Sequence, residues 1–109
     1  IVRDDIHGQW NISITLMNLG HSSSTVVNVL IDGRDPNPDI VPPAFGGNVT
    51  VSPLPMPIKG ILHYEDRPEN GTINIIIKYW TEGFSAGRGI EVRLHTSAGF
   101  DYPLFVTLP

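Results

Sequence analysis

The residues of this chain that could do chemistry are few, and their spacing does not assemble a reactive site. The chain has no cysteine, which excludes disulfides, thiolate nucleophiles and thiolate metal sites. Residues Gly83-Phe84-Ser85-Ala86-Gly87 match the letters GxSxG, but these glycines flank turns and open no helix, so the sequence predicts neither a nucleophile elbow nor a phosphate-binding loop there. Its histidines stand far apart, outside any HExxH or paired metal-binding spacing, at His7, His21, His63 and His95. The sequence therefore predicts no catalytic residue, no cofactor and no enzyme.

One loop carries oxygen ligands at alternate positions, from Asp35 through Asn37 to Asp39. Alternating carboxylate and amide oxygens can hold a hard cation such as calcium. However, Ile40 stands where a calcium loop needs a turning glycine, and no bidentate glutamate follows at the required spacing. The sequence favours a polyproline-like loop whose Asp and Asn side chains cap turns. No metal is predicted.

The composition points to the outside of a cell. Charged residues make up 17% of the chain, and the net charge is −4 with only seven Lys plus Arg, scattered singly. There is thus no basic stripe for a phosphate backbone, and nucleic acid is not a predicted partner. Three N-x-Ser/Thr sequons are candidate glycosylation sites, namely Asn11, Asn48 and Asn70. We therefore predict an extracytoplasmic, glycosylated surface.

Alternation of apolar and polar residues with a period of two dominates the chain and indicates strands with one buried face. No segment has the spacing of an amphipathic helix. Asn70-Gly71 is predicted to be a tight turn. Strands are predicted over residues 9–17, 25–32, 48–51, 58–64, 72–80, 90–95 and 102–108. This pattern predicts a single all-β domain over residues 1–109, an immunoglobulin-like β-sandwich of about seven short antiparallel strands.

Residues 89–109 are predicted to form a closing β-hairpin that turns at Ser97-Ala98-Gly99. Its inward row is predicted to be core and consists of Ile90, Val92, Leu94, Tyr102, Leu104 and Val106.

Several apolar residues fall on the parity that should face water. They are Ile76 and Trp80 in one strand and Phe105 in the last, together with Ile61, Val26 and Leu30. Central strands or a covering loop would explain them without any function. Alternatively, they form a flat patch that docks a partner or a second copy of the chain, with Trp80 as its anchor. The predicted interface residues are Ile76, Trp80, Phe105 and Ile61.

No run of about 18 apolar residues is present, and the chain starts at Ile1 without a methionine. Any targeting or membrane segment is expected upstream of it.

Two stretches carry a family resemblance. Residues 10–20, a strand ending at Asn18-Leu19-Gly20, and residues 26–33, ending at Asp32-Gly33, resemble the opening of prokaryotic extracellular immunoglobulin-like modules. Residues 89–99 and 106–109 resemble the ending of archaeal pilin-related proteins. Together they resemble archaellum accessory proteins of the FlaF or FlaG type, or a related archaeal type IV pilin-like domain. The resemblance implies a β-sandwich outside the membrane, a membrane helix upstream, and anchoring of the filament to the surface (S-layer) lattice. It carries no catalytic residue across.

The leading hypothesis is a non-enzymatic cell-envelope domain that binds the S-layer protein, sister pilin-like subunits or itself as a homodimer. The alternative is a carbohydrate-binding accessory module of a secreted hydrolase. Trp10, Trp80 and Tyr64 would stack on sugars if they lined one open surface, but the alternation places Trp10 on a core-facing row.

Overall fold

The computed structural model describes residues 1–61, 63, 65 and 67–109, which form two four-stranded antiparallel sheets. The first sheet has the strand order β1-β2-β6-β4, and the second has the order β5-β3-β7-β8. Within this part of the chain the only helical element is a 3-10 turn, Ala44–Gly47. The strands are β1 Val2–Asp4, β2 Gln9–Met17, β3 Ser24–Ile31, β4 Val49–Ser52, β5 Met56–Ile58, β6 Asn70–Lys78, β7 Gly89–Thr96 and β8 Asp101–Thr107.

The inward rows of the two sheets meet in one core cluster, in which β-branched residues predominate. Ile73, Ile75 and Ile77 of β6 are completely buried, and β7 buries Val92 and Leu94 opposite them in the same cluster. Burying each such side chain contributes roughly 1.5–3 kcal/mol. The prediction of an all-β, two-sheet sandwich is confirmed, with eight strands where about seven were expected. The immunoglobulin-like topology stays a prediction.

A β-bulge in β3 overturns the parity predicted for its first half. Val26 was expected to face outward and is buried, whereas its neighbour Val27 is exposed. Val26 pairs with Thr96 of β7 and Asn28 pairs with His95, so Val27 is an extra residue between two consecutive pairs. One extra residue flips every side chain on one side of it to the other face. Val26 is therefore part of the core and not of an outward patch.

The tight turn predicted at Asn70-Gly71 is wrong, because these residues open β6 and pair with Met17 and Leu16 of β2. Close packing explains the glycine instead. A Cβ on Gly71 would lie 2.9 Å from the sulfur of Met56, which packs across this point.

The strand predicted over residues 58–64 is also misplaced. The observed β5 ends at Ile58 and pairs with the first three residues of β3 as an edge strand. An edge strand tolerates Pro57, whose missing N–H is not required on the open side. Ile61 lies beyond the strand, and Tyr64 is outside the described residues. The three-residue β1 is too short for alternation to reveal it.

The closing hairpin of β7 and β8 is confirmed, but part of its predicted core is not. Ile90 is buried, whereas Tyr102 and Leu104 are 54% and 38% exposed. β8 is an edge strand of the second sheet. The exposure of these two side chains shows that the described chain does not cover the inner face of the first half of β8.

No helix in the part of the chain described here is long and apolar enough to cross a membrane.

Candidate functional site

The predicted interface residues do not form one patch. Ile76 lies between two buried residues of β6 and therefore faces outward from the first sheet, where it is half-buried. Phe105 pairs with Glu91 on the outer face of the second sheet and is 78% exposed. Ile76 and Phe105 therefore lie on opposite faces of the sandwich.

The other two predicted residues lie at opposite ends of the molecule. Trp80 lies two residues beyond the end of β6 and is 66% exposed. Ile61 lies at the end where β6 begins, and its N–H donates to the carbonyl of Gly20 over 2.7 Å.

Further apolar side chains of the edge strand β8 are exposed as well as Phe105. Phe105 lies on the outer face of the strand, whereas Tyr102 and Leu104, which were predicted to be core, lie on its inner face. Together with Phe100, just before the strand, they form an apolar surface that wraps around this edge. We call it the β8 strip, and it consists of Phe100, Tyr102, Leu104 and Phe105. Phe100 is 62% exposed, so three aromatic rings lie in water on or beside one edge strand. These side chains are exposed because β8 is an edge strand. The sequence could not reveal this, because the alternation of apolar and polar residues does not record the order of strands in a sheet.

The free edge of β8 is interrupted by a proline. The N–H of Leu108 donates to the Arg88 carbonyl, and the N–H of Thr96 donates to the Phe100 carbonyl, each over 2.9 Å. The main-chain groups of the even-numbered residues of β8 therefore point toward β7 and hydrogen-bond to it. The main-chain groups that point to the free edge are those of Asp101, Pro103, Phe105 and Thr107. Pro103 has no N–H to offer there, which weakens this edge as a template for strand addition.

Charged pairs border the β8 strip. Arg93 Nη2 lies 3.1 Å from Glu91 Oε1, and His95 Nδ1 lies 2.6 Å from Asp101 Oδ1. All four side chains are partly exposed on the outer face of the second sheet. The apolar strip thus has a polar border on this face.

A cleft of about 680 Å³ opens at the end of the sandwich where β6 ends and β7 begins. We call it the Trp80 cleft. Trp80 stands in its wall, where the indole N–H donates to Asn48 Oδ1 over 3.2 Å. The Lys78 ammonium lies 5.8 Å from the centre of the ring. Because the polar tip of the indole is held, the exposed part of Trp80 is its apolar ring.

Two arginines, each beside a phenylalanine ring, line the same cleft. Arg88 Nη2 lies 2.7 Å from Asp32 Oδ2, and its guanidinium lies 5.1 Å from the Phe84 ring. The Arg34 guanidinium lies 4.4 Å from the centre of the Phe45 ring. Phe45 and Phe84 meet edge to face at 5.2 Å. Aromatic contacts therefore hold both guanidinium groups at the cleft.

Backbone strain concentrates at this cleft. Asp32 and Phe45, with φ of 50° and 57°, are the two non-glycine residues of the described chain with positive φ, and both line the cleft. Asp32 is held by Glu91, whose N–H donates to Oδ1 over 2.9 Å. Arg88 Nη1 is buried and, among the described residues, has no hydrogen-bond partner. Strained backbone and unsatisfied polar groups are common at binding sites.

The shifted pKa values belong to a cluster near the N-terminus and not to the cleft. The Arg3 guanidinium and the Tyr79 hydroxyl donate to Asp5 over 3.0 and 2.9 Å, and these hydrogen bonds lower the pKa of Asp5. His7 donates to Asp4 and lowers the pKa of that carboxyl. Desolvation and the bond to Asp5 raise the pKa of Tyr79.

The loop considered for calcium uses its oxygens internally. Asp35 Oδ1 accepts the Asn37 N–H, and Asn37 Oδ1 accepts the Asp39 N–H, each over 2.9 Å. Asp35 Oδ2 accepts Asn28 Nδ2 over 3.0 Å. These are the turn-capping bonds that the sequence favours. In the described part of the chain, no three His, Cys, Asp or Glu side chains lie close enough to hold a metal ion.

All three sequons belong to the first sheet or its margin. Asn11 lies in β2, and its Oδ1 accepts Gln9 Nε2 over 3.0 Å. Asn70 is exposed at the start of β6. Asn48 precedes β4 and lines the Trp80 cleft.

The sugar-stacking platform of Trp10, Trp80 and Tyr64 does not form as one surface. Trp10 is buried, with its ring 4.7 Å from that of Tyr79. Tyr64 lies outside the described residues. Trp80 is exposed.

No protein-family model matches the chain, and no curated protein matches it. The resemblance to the archaellum and pilin-like proteins is therefore not tested by these comparisons and stays a prediction. The fold and surface define a class, a two-sheet β-sandwich domain with an aromatic strip on one edge and a polar cleft at one end.

Proposed function

We propose that this chain is a non-enzymatic, extracytoplasmic domain that binds protein in the cell envelope. Its partner is the S-layer protein or a sister pilin-like subunit of an archaeal surface filament, with a second copy of the chain as the homodimeric variant. The observation that carries the proposal is the β8 strip, where Phe105 is 78% exposed on the outer face of the edge strand and Tyr102 is 54% exposed on its inner face, with Phe100 exposed just before the strand.

The composition of the β8 strip is that of an interface centre. Aromatic residues are enriched at protein interfaces, and large anchors surrounded by polar groups dominate the binding energy. The Glu91–Arg93 and His95–Asp101 pairs supply such a border on one side. Docking through side chains fits better than strand addition, because Pro103 interrupts the donors of the free edge.

The envelope location rests on three supports. The sequence carries three sequons and few charged residues, and it resembles archaeal envelope proteins. Glycans on Asn11 or Asn70 would stand on the first sheet and leave the second sheet accessible. The surface that carries Phe105 therefore stays compatible with glycosylation.

The proposal is tested with a charge on each face of the sandwich. Phe105→Lys places an ammonium in the β8 strip, and Ile76→Lys places the same charge on the opposite face. Binding is measured by cosedimentation with S-layer lattice isolated from the archaeon that encodes the chain, and self-association by analytical ultracentrifugation. We expect Phe105→Lys to weaken association at least about tenfold, the effect of losing an interface anchor, while Ile76→Lys retains it.

Both variants must keep the parent's thermal midpoint, which separates loss of binding from loss of folding. Unchanged association of the folded Phe105→Lys variant would contradict the assignment of the β8 strip, and loss only in Ile76→Lys would move the interface to the first sheet. If the unaltered chain neither binds the lattice nor self-associates, the proposed function itself fails.

The alternative function is a carbohydrate-binding accessory module, and Trp10 cannot contribute to its sugar-stacking surface because Trp10 is buried. What supports sugar binding is Trp80 in its own cleft.

A further inference from the structure

The Trp80 cleft combines an exposed indole with charged groups of both signs. An indole ring that is 66% exposed yet fixed through its N–H to Asn48 presents a flat apolar surface with little freedom to move. A cleft of about 680 Å³ lies in the range of small-molecule sites. We infer that this cleft binds a neutral pyranose ring stacked on Trp80. It is separate from the β8 strip, so either surface can function without the other.

The charge balance decides in favour of a neutral ligand. Asp32 and Glu82 contribute two negative charges to the cleft, and Arg34 and Arg88 contribute two positive ones, so the lining has no net charge. A polyanion or a strongly basic peptide gains nothing from such a lining. A sugar hydroxyl both donates and accepts hydrogen bonds, and the cleft offers partners of both kinds.

The donors and acceptors are available. Arg34 stacks on Phe45, and in the described chain its guanidinium makes no hydrogen bond and no ion pair, so its N–H groups are free for hydroxyl oxygens. Glu82 is exposed and supplies acceptors. The ion pair between Arg88 and Asp32 fixes the position of the Asp32 carboxylate in the cleft. The ring of Trp80 can cover the apolar face of the sugar while these groups bind its edge.

The pyranose has two possible sources, which share this chemistry. Asn48 is a sequon asparagine whose Oδ1 accepts the Trp80 N–H, while its Nδ2 donates no hydrogen bond within the described residues. A glycan forms there when Nδ2 displaces the lipid pyrophosphate from the anomeric carbon of a lipid-linked sugar and loses a proton. Its first ring would start beside Trp80. The other source is a saccharide of a separate molecule.

The first arm of the test uses unglycosylated, ¹⁵N-labelled protein from a bacterial host without N-glycosylation. The two tryptophans give two indole N–H signals, and Trp80→Phe assigns them. Cellobiose, maltose and chitobiose are titrated, with an acidic and a basic hexapeptide as the competing ligand class. We expect the Trp80 signal to move saturably with at least one disaccharide, with a dissociation constant on the order of 1 mM, while the Trp10 signal stays in place.

Two variants and a control locate the site. Trp80→Ala and Arg34→Ala should each weaken the binding at least about tenfold. Phe105→Ala, on the second sheet, should leave it unchanged. The Trp80→Ala titration is followed through the backbone amide signals of residues 83 and 46, which line the same cleft.

The second arm uses protein secreted from a cell line that attaches N-linked glycans, trimmed enzymatically to a single N-acetylglucosamine. Occupancy of Asn48 is measured by mass spectrometry. Its attachment should move the Trp80 indole signal and raise the thermal midpoint, and Trp80→Ala should abolish that rise. A response in the first arm supports binding of a separate saccharide, and a response only in the second supports the attached glycan. If neither arm moves the Trp80 signal, or only a peptide does, the inference is wrong.

Discussion

At the scale of single residues, the carboxylates near the N-terminus tie stability to pH. Asp5 accepts hydrogen bonds from Arg3 and Tyr79, which lower its pKa below the ordinary value of 3.8. A group with a lowered folded pKa stabilises the fold above its unfolded pKa, and that contribution is lost as pH falls through the folded value. We therefore expect the thermal midpoint to decrease when the pH is lowered below about 4.

Asp5→Asn removes this titration. The variant should be less stable than the parent at pH 6, with a midpoint that falls less between pH 5 and pH 2, as followed by circular dichroism. Arg3→Ala removes the first donor to Asp5 and should flatten the profile in the same direction. A parent-like slope in Asp5→Asn would show that Asp5 does not contribute.

Gly60 is required by a close approach of two backbones. A Cβ at this position would lie 2.5 Å from the carbonyl oxygen of Ser22. Because the clashing atom belongs to the backbone, the movement of a side chain could not remove the clash. Gly60→Ala should destabilise the domain by about 1–3 kcal/mol, the usual range for overpacking, measured by urea unfolding. Gly89→Ala is the matched control, because its nearest atom is 4.0 Å away. Equal stability of the two variants would mean that the segment at Gly60 can move.

At the scale of elements, the bulge in β3 sets which residues are buried. Val27 is the extra residue between Val26 and Asn28, which pair with consecutive residues of β7. Deleting Val27 therefore leaves Val26 facing the core and should cost about 1 kcal/mol, an ordinary single-site loss.

Deleting Val29 instead shifts the register within the regular part of β3 and turns core residues toward water. That variant should lose at least about 3 kcal/mol or fail to fold, because it removes a completely buried side chain as well. Urea unfolding of both deletions checks this. If the Val27 deletion were the more damaging one, the bulge itself would be needed for the fold.

At the scale of the whole molecule, the sandwich separates two candidate surfaces. The β8 strip lies at an edge of the second sheet, and the Trp80 cleft lies at the end of the molecule where β6 finishes. They use different residues, so Phe105→Lys and Trp80→Ala test them independently. Asn11 and Asn70 lie in a third region, on the first sheet.

Part of this organisation is present in local sequence. The alternation in residues 9–17 predicts the bounds of β2 as they are observed, and it predicts burial of Trp10. The isoleucines of β6 and the hairpin turn at Ser97-Ala98-Gly99 are likewise predicted. These features follow from a period of two and from turn chemistry, which depend on neighbours along the chain.

The sequence by itself determined the all-β class, most strands and most of the core, because burial on one face leaves a local pattern. The tertiary structure alone decided that β8 is an uncovered edge, that the bulge turns Val26 inward, and that Ile76 and Phe105 lie on opposite faces. It also brought Asp32, Asn48, Trp80 and Arg88 together at one cleft. The physical reason is that strand order and end-on packing depend on contacts between distant segments, which no local periodicity records.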